Sequence, residues 1–363
     1  MAQLSKNYDT VNLGQGFPER NPDSRLTALV EDEMRSDKHQ YAPMPGLPHL
    51  RSVIADQLKQ RYKADLSMAD ITICTGATQG LYTAIAATVH AGDEVIIIEP
   101  AYDSYAPSVR SCGGKVVPVA LQGHDFSMDW DALRLAVTSR TRMIVMNSPH
   151  NPTGKILYTT AFFNKLREIV SGTDIILLSD EVYELMTYGD SKHLSVLSDP
   201  ELSARAYVVY SYGKSLHCTG WKMGYVVAPP PLMHEFHKLH QFIVFSVNHP
   251  LQRAIARYLE SDFEDMSVAD SFARKRSLLS DSLSSARCTW MGSEGSYFGV
   301  LDYSAVSDLD DVAFAKLLVR EHGVTTIPLS PFYTKGSTYK HLRLCYAKSD
   351  ETIKAGAAII SAL

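Results

Sequence analysis

The chain has 363 residues, of which 45% are apolar and 21% charged, the balance of an ordinary globular protein long enough to form a large and a smaller domain. A formal net charge of −5 provides no basic surface of the kind that nucleic acid requires. Five dispersed cysteines without a CxxC pair read as reduced thiols, not as a disulfide frame or a zinc site.

No apolar run approaches the roughly 20 residues of a membrane span, and the opening MAQLSKNYDTVNLGQG lacks the apolar stretch of a signal peptide. A cytoplasmic location is therefore expected. In chain order, helical patterns come first, near 23–35 and 47–62. Between about residues 70 and 230, seven short apolar runs alternate with helical patterns, at 71–74, 94–98, 115–119, 142–147, 175–179, 206–210 and 224–228. Runs such as VIII and IIILL do not alternate, which is how strands buried on both faces read. The expected fold class is α/β, a mostly parallel seven-stranded sheet between helices, followed by a smaller α+β domain. Beyond residue 230, helical patterns occupy 231–260 and 264–285. A strand-like SYFGVLDY follows, then a helix near 310–322, short strands within 324–328 and at 341–346, and a last helix from Ser349. The expected division is an N-terminal segment 1–45, a large domain 46–260 and a small domain 261–363.

The most informative segment is SYGKSLHCTGWKMGY, residues 211–225. It places Lys214 in a Gly-rich turn directly after a buried strand. An isolated lysine there is usually a solvated loop residue. The sharper reading is that Lys214 condenses with an aldehyde cofactor. That chemistry needs a neutral amine, hence a desolvated site or nearby cations. Lys222 is such a cation, and with Ser211 it could hold a phosphate.

The segment resembles the lysine signature of the class I/II aminotransferases of fold type I, which carry pyridoxal 5′-phosphate (PLP). The pattern S-x-x-K, a short spacer and T-G-W-[RK]-x-G-Y is matched at eight defined positions. Lys222 stands where the family more often has arginine, and a lysine grips phosphate as a point charge, not bidentately. The resemblance implies fold type I, PLP as cofactor and transamination with Lys214 as Schiff-base lysine and general base.

It also assigns the other parts that such a site needs. In LLSDEVYE, Asp180 is a helix N-cap on its own terms, and by resemblance the partner of the pyridine nitrogen. Tyr183, otherwise a packing aromatic, is implied to bond the cofactor's phenolic oxygen. Asn151 of NPTG, unremarkable as a turn, is implied to reach the same oxygen and the substrate. TGATQG, residues 75–80, opens a helix, and helix starts bind phosphate. There Gly76 allows the turn, with Ala77 and Thr78 as donors. Tyr102 of EPAYDSY is implied to stack on the ring. Arg343 of HLRLCYA, costly between apolar neighbours unless paired, is implied to grip the substrate α-carboxylate, with a structural salt bridge as the alternative. NLGQGFPE places Gly16 and Phe17 near the substrate, and QYAPMPG offers Tyr41 to the phosphate of a neighbouring subunit, implying a homodimer.

The resemblance runs from about residue 11 to the end and lies closest to the branch of methionine and kynurenine/glutamine aminotransferases. QGFPE, YDSYAP, MTYGD and LDYSAVSDLDDV point to the methionine-preferring type. Chains of that branch usually begin with some twenty further residues, an arm expected to be short or absent here. With aromatic Phe17, Tyr41 and Tyr102 and no evident second arginine, the expected donor is uncharged: methionine, with glutamine or an aromatic or kynurenine donor behind it. A 2-oxo acid is the acceptor, and no metal, nucleic acid or membrane takes part. The rival readings are a PLP-dependent β-lyase acting on cysteine conjugates, a PLP-sensing regulator and a dead homologue. The regulator needs an appended DNA-binding region, for which there is no room before Asn12. A dead homologue would lose Lys214, Asp180 or Arg343.

Overall fold

The computed structural model describes residues 1–189, 192–261 and 265–363. The strands, in chain order, are β1 (Val11–Asn12), β2 (Ile71–Cys74), β3 (Glu94–Glu99), β4 (Lys115–Ala120), β5 (Thr141–Asn147), β6 (Ile176–Asp180), β7 (Ala206–Ser211) and β8 (Gly224–Val227). They continue with β9 (Thr289–Trp290), β10 (Phe298–Asp302), β11 (Val324–Thr325), β12 (Ile327–Pro328) and β13 (His341–Cys345). The seven expected strands form one sheet in the order β2-β8-β7-β6-β5-β3-β4. Strands β3 to β7 run parallel, and β8 lies antiparallel between β7 and β2.

The unbroken apolar runs have the cause anticipated for them. Every residue of β3 is buried, and its alternate side chains enter two different cores. Ile96 and Ile98 join one, and Val95 and Ile97 the other, across the sheet. In β5, Ile144 and Met146 face the first core while Met143 and Val145 face the second. Strands with no solvent face cannot alternate apolar with polar residues.

A four-stranded sheet, β9-β10-β13-β12, forms the second layer structure. It is covered by the helices Asp265–Ser282 and Asp350–Ser361 around a third core containing Leu301, Leu342, Leu344 and Ile353. The N-terminal segment is tied to this part of the chain. Strand β1 pairs with β11 in parallel, and the Cys345 N–H donates to the Leu13 carbonyl at 2.7 Å. Residues 13–17 are thereby held beside β13.

Two expectations need correction. The helical pattern 231–260 is two helices, Pro230–Ile243 and His249–Ser261. They are interrupted where Phe245 takes a left-handed φ of 65°, a conformation that an α-helix does not accommodate. A short helix, Ala2–Tyr8, precedes β1, where no pattern was read. The helix expected at 264–285 begins, and the run MTYGD ends at Asp190, outside the described residues. All five cysteines are free. Among the described residues, no helix is long and apolar enough to cross a membrane.

Beneath the C-terminal end of β6, Glu181 is fully buried and accepts four hydrogen bonds. These come from the Ser179 hydroxyl (2.9 Å), the Val196 amide (3.0 Å), the Tyr210 hydroxyl (3.0 Å) and the His193 ring (2.8 Å). Removing that acceptor orphans buried donors. Glu181→Ala is therefore expected to destabilise the fold by about 3 kcal/mol or more, read as a lowered urea midpoint. A loss within 0.5 kcal/mol would show that the network is dispensable.

Candidate functional site

Because β2 to β7 share one direction, their C-terminal ends open along one edge of the sheet. In open α/β sheets ligands bind in the crevice at that edge. Here the edge borders a cleft of about 370 Å³. Of the residues singled out from sequence, Gly16, Gly76, Ala77, Thr78, Tyr102, Asn151, Asp180, Tyr183, Ser211, Lys214, Lys222 and Arg343 all line it. Phe17 and Tyr41 are not among the lining residues. Phe17 is 40% exposed, with the Lys348 ammonium 4.2 Å from its ring centroid. Tyr41 is 78% exposed and packs edge-on against Phe245.

Asp180 ends β6 and is buried. Its Oδ2 accepts the Tyr105 hydroxyl at 2.6 Å, and its Oδ1 the Val182 amide at 3.3 Å. Burial pushes its pKa up to about 6, against the stabilising effect of these two donors. Lys214 lies in the helical turn Tyr212–Ser215 directly after β7. Its Nζ sits 5.7 Å from the ring centroids of both Tyr183 and Tyr297. Burial is the main force pushing this amine down to about 8; Cys345 and Asp180 oppose the shift, and Arg343 and Lys222 add to it. A lysine in that range is partly neutral near pH 8 and can act as nucleophile or base.

Gly76 turns the chain from β2 into the helix Ala77–Ala86 with φ +74° and caps it without a side chain. A Cβ at Gly76 would lie 3.2 Å from Lys222 Nζ. The ammonium therefore passes close over the turn, next to the helix start. Lys222 itself holds a left-handed φ of 55°, which directs it there from the turn before β8. Uncapped amides, a helix N-terminus and an ammonium together make a seat for an anion.

Arg343, buried in β13, is held by hydrogen bonds from Nη1 to Asn151 Oδ1 and from Nη2 to the Gly14 carbonyl, both at 2.9 Å. Its guanidinium lies 4.1 Å from the Phe298 ring centroid and 5.2 Å from that of Phe332. Nε has no partner, and Arg343 forms no ion pair among the described residues. The salt-bridge alternative thus has no partner here. A buried cation stacked on aromatic rings and facing a cleft is instead suited to bind an anion from outside. Gly16 lies against the same ring, where a Cβ would stand 2.5 Å from Phe298 Cζ.

Several contributors were not read from sequence. Tyr105 holds Asp180, and its signal was the YDSY spacing that sets it three residues from Tyr102. Asn147 ends the apolar β5, donates to the Asp180 carbonyl at 2.7 Å and accepts the Asn151 amide at 2.7 Å. Phe298 and Phe332 carried no local signal.

A family model described as aminotransferase class I and II matches residues 8–360. Methionine aminotransferase from Escherichia coli is 42% identical over 98% of this chain and 93% of its own. Mouse kynurenine–oxoglutarate transaminase 1 is 30% identical over 97% and 92%. The solved structure of YbdL from Escherichia coli, for which a methionine aminotransferase function was identified, superposes with a TM-score of 0.97 at 41% identity, covering 100% of this chain and 96% of that one.

The raised pKa of Asp180 carries a stability consequence. Its folded value of about 6 exceeds the ordinary 3.8, so ionisation costs stability as pH rises from about 4 to 6. In cofactor-free protein, Asp180→Asn is expected to raise stability at pH 7 by on the order of 1–3 kcal/mol. That advantage should vanish below about pH 4. Thermal melts across this range check it; an equal difference at pH 3.5 and 7 would refute the electrostatic cause.

Proposed function

The chain belongs to the class I and II aminotransferases and is an aminotransferase, and from that premise we propose that it uses PLP to move the amino group of an uncharged amino acid to a 2-oxo acid. Methionine is the donor we favour, with glutamine and aromatic or kynurenine donors next. The observation that carries this reading is the cation inventory of the cleft. Among the described residues, Lys214, Lys222 and Arg343 are its lining cations, and the proposed roles use all three, leaving none of these for an acidic side chain. The wall beside Arg343 is apolar, with Ile327, Phe298 and Phe332. Likeness to the methionine aminotransferase of Escherichia coli supports the same donor class.

The residues present fit PLP. The Gly76 turn, the Ala77 and Thr78 amides, Ser211 and Lys222 would hold its phosphate. Tyr102 would stack on the ring, Asn151 and Tyr183 would meet the phenolic oxygen, and Asp180 the ring nitrogen. When bound, the cofactor supplies an aldehyde for the amino group and a ring that withdraws electrons from the donor's Cα. Asp180 is an anion above about pH 6 and would hold a proton at the ring nitrogen. Tyr105 fixes that carboxylate and limits its freedom to turn. Lys214 Nζ, with its lowered pKa, takes the Cα proton. Arg343 and Asn151 orient the donor's α-carboxylate, Arg343 through a bidentate pair, and Gly16 leaves room for it.

Residues 1–45, 46–260 and 261–363 are read as terminal segment, large domain and small domain. A homodimer is proposed from Tyr41, which packs on Phe245, and from Phe242 and Ile243 close by in the chain; they are 78%, 54%, 83% and 46% exposed, and exposed apolar groups of this size often meet a partner. Tyr41 would reach the phosphate seat of the second copy.

The absorption spectrum of the purified holoenzyme tests the donor. L-methionine alone should bleach the yellow cofactor band, and pyruvate or 2-oxoglutarate should restore it. A band indifferent to methionine would remove it as donor. In Lys214→Ala the rate should fall by about 10³-fold or more; normal turnover would sink the assignment. Arg343→Ala should raise the donor KM by roughly 10²-fold or more, the cost of unpairing a carboxylate. An effect confined to stability would return Arg343 to a structural role.

A further inference from the structure

Away from the cleft, Asp302 at the end of β10 lies directly opposite His341 at the start of β13. Their side chains consequently share a face of the small sheet. His124 joins them from the turn that follows β4, closed by reciprocal backbone hydrogen bonds between Gln122 and Ser127. Donor atoms of the three residues all lie within 4.8 Å of one another. Asp302 Oδ2 is 3.8 Å from His341 Nε2 and 3.9 Å from His124 Nδ1, too far for hydrogen bonds.

His341 is 1% exposed, and neither of its ring nitrogens has a hydrogen-bond partner. A buried imidazole in that state has lost its water on both sides without replacement, which is costly. Its plane is set by Tyr339, stacked on it at 5.1 Å and 6°. Such support holds a ligand in register.

We infer that His124, Asp302 and His341 bind a divalent transition-metal ion of the zinc class, which links the turn after β4 to the sheet carrying Arg343. Two imidazoles and a carboxylate are donors suited to such an ion. Bonds of about 2.0–2.2 Å at tetrahedral angles place donors roughly 3.3–3.5 Å apart. The two separations from Asp302 need to close by about half an ångström, and the two imidazoles, whose donor atoms lie within 4.8 Å, approach by rotation of the exposed His124. Three protein donors leave a position for water. The ion would satisfy a nitrogen of His341 and join two regions of the chain that are distant in sequence.

The test uses chelator-treated holoenzyme titrated with zinc chloride in a calorimeter, and with Co²⁺ followed by its visible bands. One ion per chain is expected, with micromolar or tighter affinity, together with a zinc-dependent rise in melting temperature. His124→Ala, on an exposed turn where folding is not at risk, should weaken binding by roughly 10-fold or more and abolish the shift in melting. Asp302→Asn should act in the same direction. No saturable binding in the parent protein, or binding unchanged in His124→Ala and so due to other histidines or cysteines, overturns the assignment.

Discussion

The site depends on one directional constraint, the common orientation of the strands at the centre of the large sheet. Parallel strands end together, and at their ends the chain turns away from the ladder with polar groups still to be satisfied. Asn147, Asp180 and the turn bearing Lys214 stand at the ends of the neighbouring strands β5, β6 and β7. Strand β2 lies parallel to β7 through the intervening antiparallel β8, so the Gly76 turn reaches the same edge. Strand β8 starts there too, which brings in Lys222. Five groups from five strand ends thus meet without any one loop having to carry them.

Charged groups at that edge are kept at an energetic disadvantage. Asp180 is desolvated and has a raised pKa, Lys214 is desolvated and has a lowered one, and Arg343 is buried with no ion pair among the described residues. Each shift disfavours the charged form because protein replaces water around it. Groups arranged in this way respond strongly to a ligand that supplies the missing partner. The surrounding scaffold offsets the cost, with both sheet faces apolar and Glu181 satisfied four times over beneath Asp180.

The second sheet contributes the piece that the large sheet lacks. Arg343 sits in the middle of β13, between β10 and β12, and its guanidinium is steered by Phe298 from β10 and Phe332 from the turn after β12. Asn151 connects this arginine to Asn147 and through it to the backbone of Asp180. One chain of hydrogen bonds therefore runs from the proposed carboxylate anchor to the proposed cofactor anchor. The apolar character of the wall is a product of the same packing, since the rings that orient Arg343 also line the space beside it.

The sequence by itself determined the large sheet and most of the cleft. Unalternating apolar runs identify strands buried on both faces, and motifs such as SYGKSLHCTGWKMGY and TGATQG are contiguous, so their residues are close whatever the remainder does. Twelve of the residues proposed from sequence line one cleft, and it was the family resemblance, not local pattern, that grouped those from different motifs. Tertiary structure alone decided the contacts between segments far apart in the chain. Tyr105 against Asp180 spans 75 residues, and Arg343 against Asn151 spans 192. The meeting of His124 with Asp302 and His341 is of the same kind. The break at Phe245 was also illegible, because a left-handed residue in a helical pattern is imposed by packing and not by periodicity. Local pattern encodes which face of an element is buried; which distant side chain arrives there follows only when the layers close.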